Sequence, residues 1–302
     1  MNKIVNIIKP TGMTSHDVVS AVRKILNTKK VGHTGTLDPD ASGVLPICIG
    51  KATKVSELIL NKDKSYICEL TLGITTDTYD SSGKILERVD NFSFTKEEIE
   101  KAFDTQRGHI EQLPPMYSAL KVNGKRMCDL VRSGRADEIN LKTRPVHIKE
   151  LNILSIRDNK VMFYVKCSKG TYVRSICYDV GKFLGCGGHM SFLLRTSSGK
   201  FNLENGITLE ELQEYKDNNI LEKHLYDIDY VLTNFNKITI HENAEKYYIN
   251  GGIIDERRFI EKDFDENDEL VRVYSSKEFI GIGKLIRKNN IISVKSDKLF
   301  IV

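Results

Sequence analysis

The sequence predicts an α+β fold, in which a large domain with a mixed, mainly antiparallel sheet and helices is followed by a small C-terminal β-barrel. Before residue 235, segments with alternating apolar residues lie between segments whose apolar residues recur at helical spacing. After residue 235, five short alternating runs are separated by polar turns. A chain of 302 residues is long enough for both units. We therefore predict domains at 1–234 and 235–302.

The first elements follow from turn residues and apolar spacing. After the strand-like segment KIVNIIK, the turn KPTGMTS leads into a helix with Ser15 as its predicted N-cap and Asp17 in its first turn. The apolar residues of this helix share one face, and they are Val18, Val19, Val22, Ile25 and Leu26. We expect this face to lie against the core.

Two segments predict half-buried strands on either side of a charged helix. Their inward-facing residues are Cys68, Leu70 and Leu72 in SYICELTLG, and Val161, Phe163, Val165 and Cys167 in VMFYVKCS. The helix is expected near 95–103, with Thr95 as its N-cap. The acidic segment 203–234 is helical in pattern and leads into the C-terminal domain.

The net charge of +4 hides an uneven distribution. Residues 1–202 contain 31 Lys and Arg against 21 Asp and Glu, residues 203–234 contain 2 against 8, and residues 235–302 contain 12 against 12. The positive excess therefore lies in the first two thirds of the chain. A surface for a polyanion is one interpretation, and a solvated lysine-rich surface is the other.

Segment 107–144 stands out within this basic region. It has 8 basic against 4 acidic residues, the pair Pro114 and Pro115, an Asn-Gly turn at Asn123 and Gly124, and tyrosine and methionine among the charges. Because Lys and Arg neutralise phosphate and aromatic rings stack on unpaired bases, one interpretation is a clamp for nucleic acid. The other is an ordinary hairpin and amphipathic helix packed on the body of the protein.

The composition indicates a globular, cytoplasmic protein, with 40% hydrophobic and 28% charged residues. No apolar run approaches the roughly 18 to 20 residues that span a bilayer, and the first residues are too short in their apolar part for a secretory signal. The cysteines form no CxxC pairs, and we expect reduced, buried thiols. These cysteines are Cys48, Cys68, Cys128, Cys167, Cys177 and Cys186.

The loop GHTGTLDPDASGVLPICIG contains Asp38 directly before a proline. Asp before Pro often only starts a turn, because Asp bonds to its own backbone and Pro fixes the next φ. Other features favour a functional acid. His33 and two threonines precede it, Gly32, Gly35 and Gly43 would let a ligand approach the backbone, and the apolar segment that follows would hold the loop rigid.

Other motif interpretations fail on spacing. Six residues separate the glycines of 43–50, where a phosphate loop needs four. Cys186 and His189 in LGCGGHM have no sequence neighbours that would complete a metal site. A glycosidase-type carboxylate pair would require Asp40 or Asp80 to fold back towards the acid of the loop.

Five motifs together resemble the bacterial TruB family of tRNA pseudouridine synthases. They occur in order over most of residues 1–200, and they are KPTGMTSHDVV, VGHTGTLDPDASGVLPICIGKATK, KSYICELTLGITTDTYDSSG, LPPMYSALKVNGKR and CSKGTYVRSICYDVG. The C-terminal runs resemble, more weakly, the PUA domain that accompanies such enzymes. The resemblance makes 1–234 the catalytic domain, 107–144 the family's thumb insertion over the RNA, and 235–302 an RNA-binding domain.

The resemblance also implies the reaction and its acid. The family converts one uridine in the T loop of tRNA, conventionally uridine 55, to pseudouridine by breaking the bond from N1 to the ribose and rejoining the base through C5. By motif, Asp38 is the essential carboxylate. It attacks the ribose C1′, adds to C6 of the uracil or assists deprotonation at C2′, and all three alternatives need an ionised acid. Arg174, in TYVRS, matches the arginine that pairs with this acid, and we expect it to lower the pKa of Asp38.

The target base must leave its stack to be reached, at a cost of a few kcal/mol. In the family resemblance, His33 occupies the space that the base vacates. Tyr66 stacks on the flipped uracil and is a candidate to take the C5 proton, while Tyr172 and Leu193 line the base pocket. Periodicity alone would make Tyr66, Tyr172 and Leu193 core residues.

The resemblance implies no cofactor and no metal, because the isomerisation is redox-neutral and the detached uracil is re-used. We expect the T arm of tRNA as partner, no membrane, no guide RNA and a monomer. One alternative is an RNA-guided synthase. The thumb sequence YSALKVNGKR argues against it, because the resemblance implies that guided relatives lack this insertion. A non-catalytic tRNA-folding protein is the other, and it would not need Asp38. The sequence departs from the family at Cys128, where relatives often carry an aromatic residue.

Overall fold

The computed structural model describes residues 1–122, 124–265, 267–276, 278–288 and 291–301. The chain forms two units, each built on one large sheet. Asn123, which belongs to the predicted Asn-Gly turn, lies outside the described residues. Within the described part of the chain, no helix is long and apolar enough to cross a membrane.

The N-terminal unit contains strands and helices in a mixed order. Its strands are β1 (Ile4–Lys9), β2 (Val31–His33), β3 (Ser42–Ile49), β4 (Lys64–Leu72), β5 (Ile74–Thr76), β6 (Ile85–Arg88), β7 (Gly108–Gln112), β8 (Lys121–Val122), β9 (Lys125–Arg126), β10 (Arg144–Arg157), β11 (Lys160–Cys167), β12 (Gly188–Ser198) and β13 (Phe201–Asn202). Its helices are α1 (Ser15–Ile25), α2 (Ser56–Leu60), α3 (Lys96–Asp104), α4 (Met127–Arg132), α5 (Val173–Leu184) and α6 (Leu209–Asp217).

The large N-terminal sheet is mainly antiparallel, as the sequence predicts. Its strands follow the order β1-β3-β12-β4-β11-β10-β7, with β2 on β3 and β13 on β12. The pair of β12 and β3 is parallel, whereas the other pairs of this sheet are antiparallel. Because β12 lies between β3 and β4, it brings the loop before β3 close to side chains of β4.

Helices cover this sheet with the apolar faces that the sequence predicts. The predicted inward residues of β4 and β11 are at most 2% exposed and pack with Phe103 of α3 and Ile176 of α5. Val18 and Val22 of α1 pack with Leu212 of α6 in a second core. The helix α3 begins after Thr95, whose hydroxyl accepts a hydrogen bond from a first-turn N–H, so this N-cap prediction is confirmed.

The N-cap of α1 is Thr14, and the prediction of Ser15 is wrong. The Thr14 hydroxyl accepts from the Asp17 N–H at 3.1 Å, and the Asp17 carboxylate accepts from the Thr14 N–H at 2.8 Å, which forms a capping box. Ser15 is buried, and its hydroxyl accepts from the Leu37 N–H at 2.8 Å. The serine is therefore used to hold a distant loop, which its neighbours in sequence do not reveal.

The C-terminal unit consists of six strands and one helix in its described residues. They are β14 (Lys237–Ile240), α7 (Glu242–Ile249), β15 (Ile254–Asp255), β16 (Phe259–Asp263), β17 (Leu270–Tyr274), β18 (Phe279–Lys288) and β19 (Ile291–Leu299). The strand order is β15-β19-β18-β17-β14-β16. Only residues 256–258 separate β15 from β16, so the two edges of the sheet approach each other and the sheet curls into a partly open barrel.

Two details of this barrel differ from the sequence prediction. The runs IISVK and KLFIV are expected to be separate, but IISVK and the first two residues of KLFIV belong to one strand, β19, which continues across a bulge in its pairing with β18. The strands β15 and β16 were not expected. β15 has only two residues, and four of the five residues of β16 are exposed, so neither produces an alternating apolar pattern.

The two units share an apolar cluster. Phe300 of the C-terminal unit packs in the same cluster as Val55 and Val231 of the N-terminal unit. Beside this cluster, the Tyr274 hydroxyl donates to the Asp229 carboxylate at 2.8 Å. The acidic segment that contains Asp229 is helical, as predicted, with α6 and two 3-10 turns. It links the two units.

All six cysteines are free thiols, as predicted. Five are buried, whereas Cys128 on α4 is only half-buried. The expectation of buried thiols is therefore wrong for Cys128, because this face of the short helix α4 is turned towards solvent. Cys68 and Cys177 lie in the core with their Sγ atoms 3.6 Å apart.

Replacing Thr14 by Ala is expected to lower the free energy of unfolding by about 1 kcal/mol, because the first turn of α1 loses the oxygen that accepts its N–H. Urea denaturation followed by circular dichroism measures this change. Thr14→Ser is the control, since it keeps the hydroxyl. A loss as large in Thr14→Ser as in Thr14→Ala would contradict the assignment of the cap.

Candidate active site

Asp38 lies in the loop between β2 and β3, and this loop is held on both sides of the acid. On one side, the Ser15 hydroxyl accepts from the Leu37 N–H and donates to the Leu37 carbonyl at 3.1 Å. On the other, the carbonyl of Pro39 accepts from Lys9 Nζ at 3.0 Å. These contacts come from β1 and α1, so the position of the acid is fixed by elements outside its own loop.

The carboxylate of Asp38 points out of its loop towards Arg174. Arg174 Nε lies 3.2 Å from Oδ2, and Nη2 lies 3.4 Å from Oδ1. The backbone of Asp38 also starts a turn, since its carbonyl accepts from the Ala41 N–H at 3.1 Å. The backbone of Asp38 thus starts a turn, as one interpretation of the sequence predicts. Its side chain pairs with Arg174, so the residue does more than start the turn.

Two glycines of this region lie close to other parts of the protein. Gly43 has φ +107°, and a Cβ at this position would lie 2.2 Å from the Arg195 carbonyl oxygen. A Cβ on Gly35 would approach the side chains of Leu60 and Lys64. Gly43 therefore lets β3 pack against the backbone of Arg195, and the approach of a ligand to the loop glycines stays a prediction.

Arg174 is the centre of the polar network around Asp38. It stands in the first turn of α5, and its side chain is only 7% exposed. Besides Asp38, its Nη1 donates to the Thr78 carbonyl at 3.1 Å and lies 3.2 Å from Asp80 Oδ2. Its Nη2 also donates to the Tyr117 carbonyl at 3.0 Å. One guanidinium thus joins the acid loop, the β5–β6 hairpin and the segment before β8.

Asp80 is a site residue that the sequence analysis did not assign. It lies between β5 and β6, where its Oδ1 accepts from the hydroxyls of Thr78 and Ser82, both at 2.6 Å. Its other oxygen meets Arg174, so two carboxylates share one guanidinium. The hydroxyl-rich turn TTDTYDSSG was the available signal, but its partner lies 94 residues away in sequence.

Arg174 lowers the pKa of Asp38, as expected, but the pKa still lies above its ordinary value. Although 37% of the Asp38 side chain is exposed, burial among protein atoms raises its pKa, and this effect outweighs the opposing charge of Arg174. The like charges of Asp80 and Asp40 raise it further. Asp38 is therefore an ion-paired acid that is held less acidic than a free aspartate.

Two of the predicted pocket residues lie in the apolar core beside this network. Tyr66 of β4 is 8% exposed and Leu193 of β12 is 6% exposed, and both belong to the cluster that contains Leu37. Burial raises the pKa of Tyr66 to about 12, while Arg195 opposes this increase. The charge of Asp38 also reaches Tyr66, so the tyrosine and the acid lie in one site.

The other two predicted residues lie at the borders of the site. Tyr172 precedes α5 and is half-buried, and its pKa is raised by burial, with smaller effects of Arg174 and Asp38. His33 ends β2, and its Nδ1 accepts from the Gly35 N–H at 3.3 Å. Burial lowers the pKa of His33. Tyr172 thus lies next to Arg174 in sequence, and His33 lies at the start of the loop that carries Asp38.

The segment 107–144 contains the hairpin β8–β9 and the helix α4. Met127 and Leu130 of α4 are buried, whereas Lys125 and Arg126 of β9 face solvent. The buried residues agree with a hairpin and helix packed on the protein, and the clamp for nucleic acid stays a prediction. A depression of about 600 Å³ opens beside α4, lined by Gly124, Lys125, Arg126, Asp129, Leu130, Ser133 and Arg135.

The first turn of α5 holds the chain that leads into this segment. The side chain of Gln112 bonds to both backbone groups of Tyr172, accepting at 2.7 Å and donating at 3.1 Å. The Ser175 hydroxyl donates to the Leu113 carbonyl at 2.8 Å. The segment that the sequence suggests as a clamp is thereby anchored beside Arg174.

Metal ligands do not cluster in the described residues: no group of three or more His, Cys, Asp or Glu side chains there could hold a metal ion. His189, considered with Cys186 in the sequence, is buried, and its Nδ1 bonds to the Ile74 carbonyl at 3.0 Å. What the site offers is an acid, an arginine, a buried tyrosine and a rigid backbone.

The chain matches two family models that together cover this site. Residues 23–173 match the N-terminal domain of TruB family pseudouridylate synthases, and residues 174–233 match the C-terminal domain of tRNA pseudouridylate synthase B. The fold is thus that of a pseudouridine synthase. The chain belongs to the TruB family.

Individual relatives cover the chain almost completely. It is 73% identical over 301 residues to the tRNA pseudouridine synthase B of Clostridioides difficile (strain 630), with 100% of both chains covered. It is 49% identical over 283 residues to the protein of the same name in Alkaliphilus oremlandii, which covers 94% of this chain and 93% of that one.

Solved structures show that the resemblance extends to the C-terminal unit. A Cbf5–Nop10–Gar1 complex contains a chain that is 28% identical, with a TM-score of 0.75 over 99% of this chain and 85% of that chain. An H/ACA RNP bound to a substrate RNA containing 2′-deoxyuridine contains one that is 27% identical, with a TM-score of 0.74 over the same shares.

Replacing Asp80 by Asn is expected to lower the pKa of Asp38, because a like charge that raises this pKa is removed. Since the lower pKa keeps the acid ionised to lower pH, the acid limb of the activity profile should move to lower pH as well. Titration of the Asp38 carboxyl carbon by ¹³C NMR measures the pKa directly.

Asp40→Asn is the matched control for this experiment. Asp40 raises the pKa of Asp38 less than Asp80 does, so the shift should have the same direction and a smaller size. An unchanged or increased pKa in Asp80→Asn would contradict the account of the network.

Proposed function

We propose that the protein isomerises one uridine in the T loop of tRNA, uridine 55, to pseudouridine. The observation that carries this proposal is the Asp38 carboxylate, held by a rigid loop against Arg174 and within electrostatic reach of Tyr66. The family of the chain and the names of its relatives agree with this reaction.

The reaction exchanges one bond for another at the ribose. The bond from C1′ to N1 breaks, the uracil turns while it stays in the site, and C1′ forms a bond to C5. The proton on C5 leaves, and N1 gains a proton, so atoms and electrons balance without an oxidant or a cofactor. Asp38 attacks C1′, adds to C6 or assists deprotonation at C2′, and in each route the ion pair with Arg174 keeps the carboxylate charged and aimed.

Access to the base requires that it leave its stack. We assign to His33, at the end of β2, the space that the flipped base vacates. Tyr66 stacks on the uracil and takes the C5 proton, and Tyr172 and Leu193 line the pocket. The clustering of Tyr66 and Leu193 in one apolar wall supports this assignment, because a detached uracil must be kept away from water until it reacts again.

Segment 107–144 and the C-terminal unit are proposed to bind the RNA backbone. The exposed Lys125 and Arg126 beside α4 support a phosphate-binding role for the segment. The second family model ends at residue 233 and β14 begins at Lys237, which supports a domain boundary near 234. The PUA-like unit has no net charge, so we assign it the weaker share of the affinity.

The protein is proposed to act as a monomer without a guide RNA. The solved relatives above come from H/ACA complexes, in which related chains work with other components. By the family resemblance, segment 107–144 is the thumb insertion of the stand-alone enzymes, and this supports a stand-alone enzyme. A protein that only folds tRNA would not need the contacts that fix Asp38, so these contacts favour an enzyme.

Asp38→Asn is expected to keep tRNA affinity within about tenfold and to lose turnover almost completely, because the amide retains the shape of the acid but not its charge. Release of tritium from C5-labelled uridine in unmodified tRNA measures turnover, and mapping of the product gives the position. Asp40→Asn, in the same loop but exposed, is the control and should remain active. If the wild type binds tRNA tightly but releases no tritium, the proposal of an enzymatic function is refuted.

Deletion of residues 235–302 is expected to weaken tRNA binding without abolishing catalysis, because Asp38 and its contacts all lie in the N-terminal unit. Thermal denaturation must first show that the shortened chain folds, since the deletion uncovers Val55 and Val231. Turnover at saturating tRNA then separates binding from chemistry. Complete inactivity of a folded truncation would contradict the prediction.

A further inference from the structure

Arg195 is a buried cation that the reaction described above does not use. It is 1% exposed, and among the described residues it forms no salt bridge to a carboxylate. Burial lowers its pKa, as expected for a charge withdrawn from water without a counter-ion. Because an unpaired buried charge costs stability, its presence calls for a functional explanation.

The backbone position of Arg195 is unusual within the sheet. It lies in β12, directly opposite Tyr66 of β4 and Gly43 of β3. Its side chain reaches both ends of the loop that carries Asp38: Nε donates to the Val44 carbonyl at 2.6 Å, and Nη2 donates to the Gly35 carbonyl at 3.1 Å. One residue thus spans the loop from end to end.

Because Arg195 and Tyr66 are register partners on adjacent antiparallel strands, their side chains lie on the same face of the sheet, and the charge of the guanidinium acts on the Tyr66 hydroxyl. Burial raises the pKa of Tyr66, and Arg195 is the largest influence in the opposite direction. Other groups that act on Tyr66 are Cys167 of β11 and Asp38, and both raise its pKa. Arg195 is therefore the group that favours negative charge on the tyrosine oxygen.

We propose that Arg195 is a positioning residue that sets the Asp38 loop against Tyr66 and supports the tyrosine oxygen as the base for the C5 proton. This inference rests on the proposed function. In the step concerned, C5 already carries its new bond to C1′. The C5–H bond then breaks, its electrons restore the C5–C6 double bond, and the proton passes to the ionised Tyr66 oxygen, which had lost its own proton to solvent.

Arg195→Met removes the charge and keeps the length of the side chain. We expect turnover to fall about 100-fold, with KM for tRNA changed by less than about threefold, because the lost interaction acts on the chemical step. The remaining activity should rise about tenfold per pH unit above neutral pH, since the ionised fraction of a group that titrates far above the assay range grows in that proportion. The wild type should not show this rise, because its positive charge keeps proton removal from limiting the rate.

Arg195→Lys tests the same idea with the charge retained. It should recover part of the turnover and flatten the pH profile. In a Tyr66→Phe background, neither Arg195 variant should cause a further loss, because the partner oxygen is absent. Arg23→Met is the control, since Arg23 also donates to a backbone carbonyl, that of Val31 at 3.0 Å, but lies on α1 away from Tyr66. It should keep wild-type turnover.

The outcomes separate this proposal from a purely structural role. If the Arg195 variants lose the same fraction of turnover at every pH, or lose as much in the Tyr66→Phe background, then Arg195 only holds the loop in place. These outcomes would overturn the proposal, as would wild-type turnover in Arg195→Met. If Arg195→Met does not fold, the proposal is tested by the turnover of Arg195→Lys, measured with Tyr66 present and in the Tyr66→Phe background. A wild type that releases no tritium would instead overturn the proposed function, and the role of Arg195 with it.

Discussion

The guanidinium of Arg174 is the interaction on which the site depends. It is almost completely buried and meets Asp38, Asp80 and the backbone of Tyr117, which belong to three separate parts of the chain. Charge-assisted bonds of this kind are strong where water is excluded. Without this cation, two carboxylates would remain close together in partly buried surroundings, and the acid loop would lose its link to the segment that precedes β8.

Cations bonded to backbone carbonyls support the rest of the acid loop. Lys9 is fully buried and donates to three carbonyls, including that of Pro39, and Arg195 donates to carbonyls at both ends of the loop. Burial lowers the pKa of Lys9 to about 8, although Asp38 opposes this shift. Such an arrangement costs desolvation energy but leaves the oxygens of Asp38 free for Arg174 and for a substrate.

The predictions that hold are those that depend on local pattern. Alternation along β4 and β11 identified their buried faces, because strand geometry turns every second side chain to the same side. The prediction that fails at α1 concerns Ser15, whose hydroxyl is taken by Leu37, a residue 22 positions away. The raised pKa of Asp38 has a similar origin: the pairing with Arg174, which lowers this pKa, is visible in the motif, whereas the burial that outweighs it is not.

The sequence by itself predicted the strands and helices that have a clear apolar pattern, the motifs of the family and the candidate acid, because these depend on residues that lie near one another in the chain. The tertiary structure decided that Asp80 shares Arg174 with Asp38, that Gly43 makes room for the backbone of Arg195, and that Arg195 faces Tyr66. Each of these facts joins segments that are far apart in sequence. Distances, burial and charge between such segments exist only after β12 has been placed between β3 and β4.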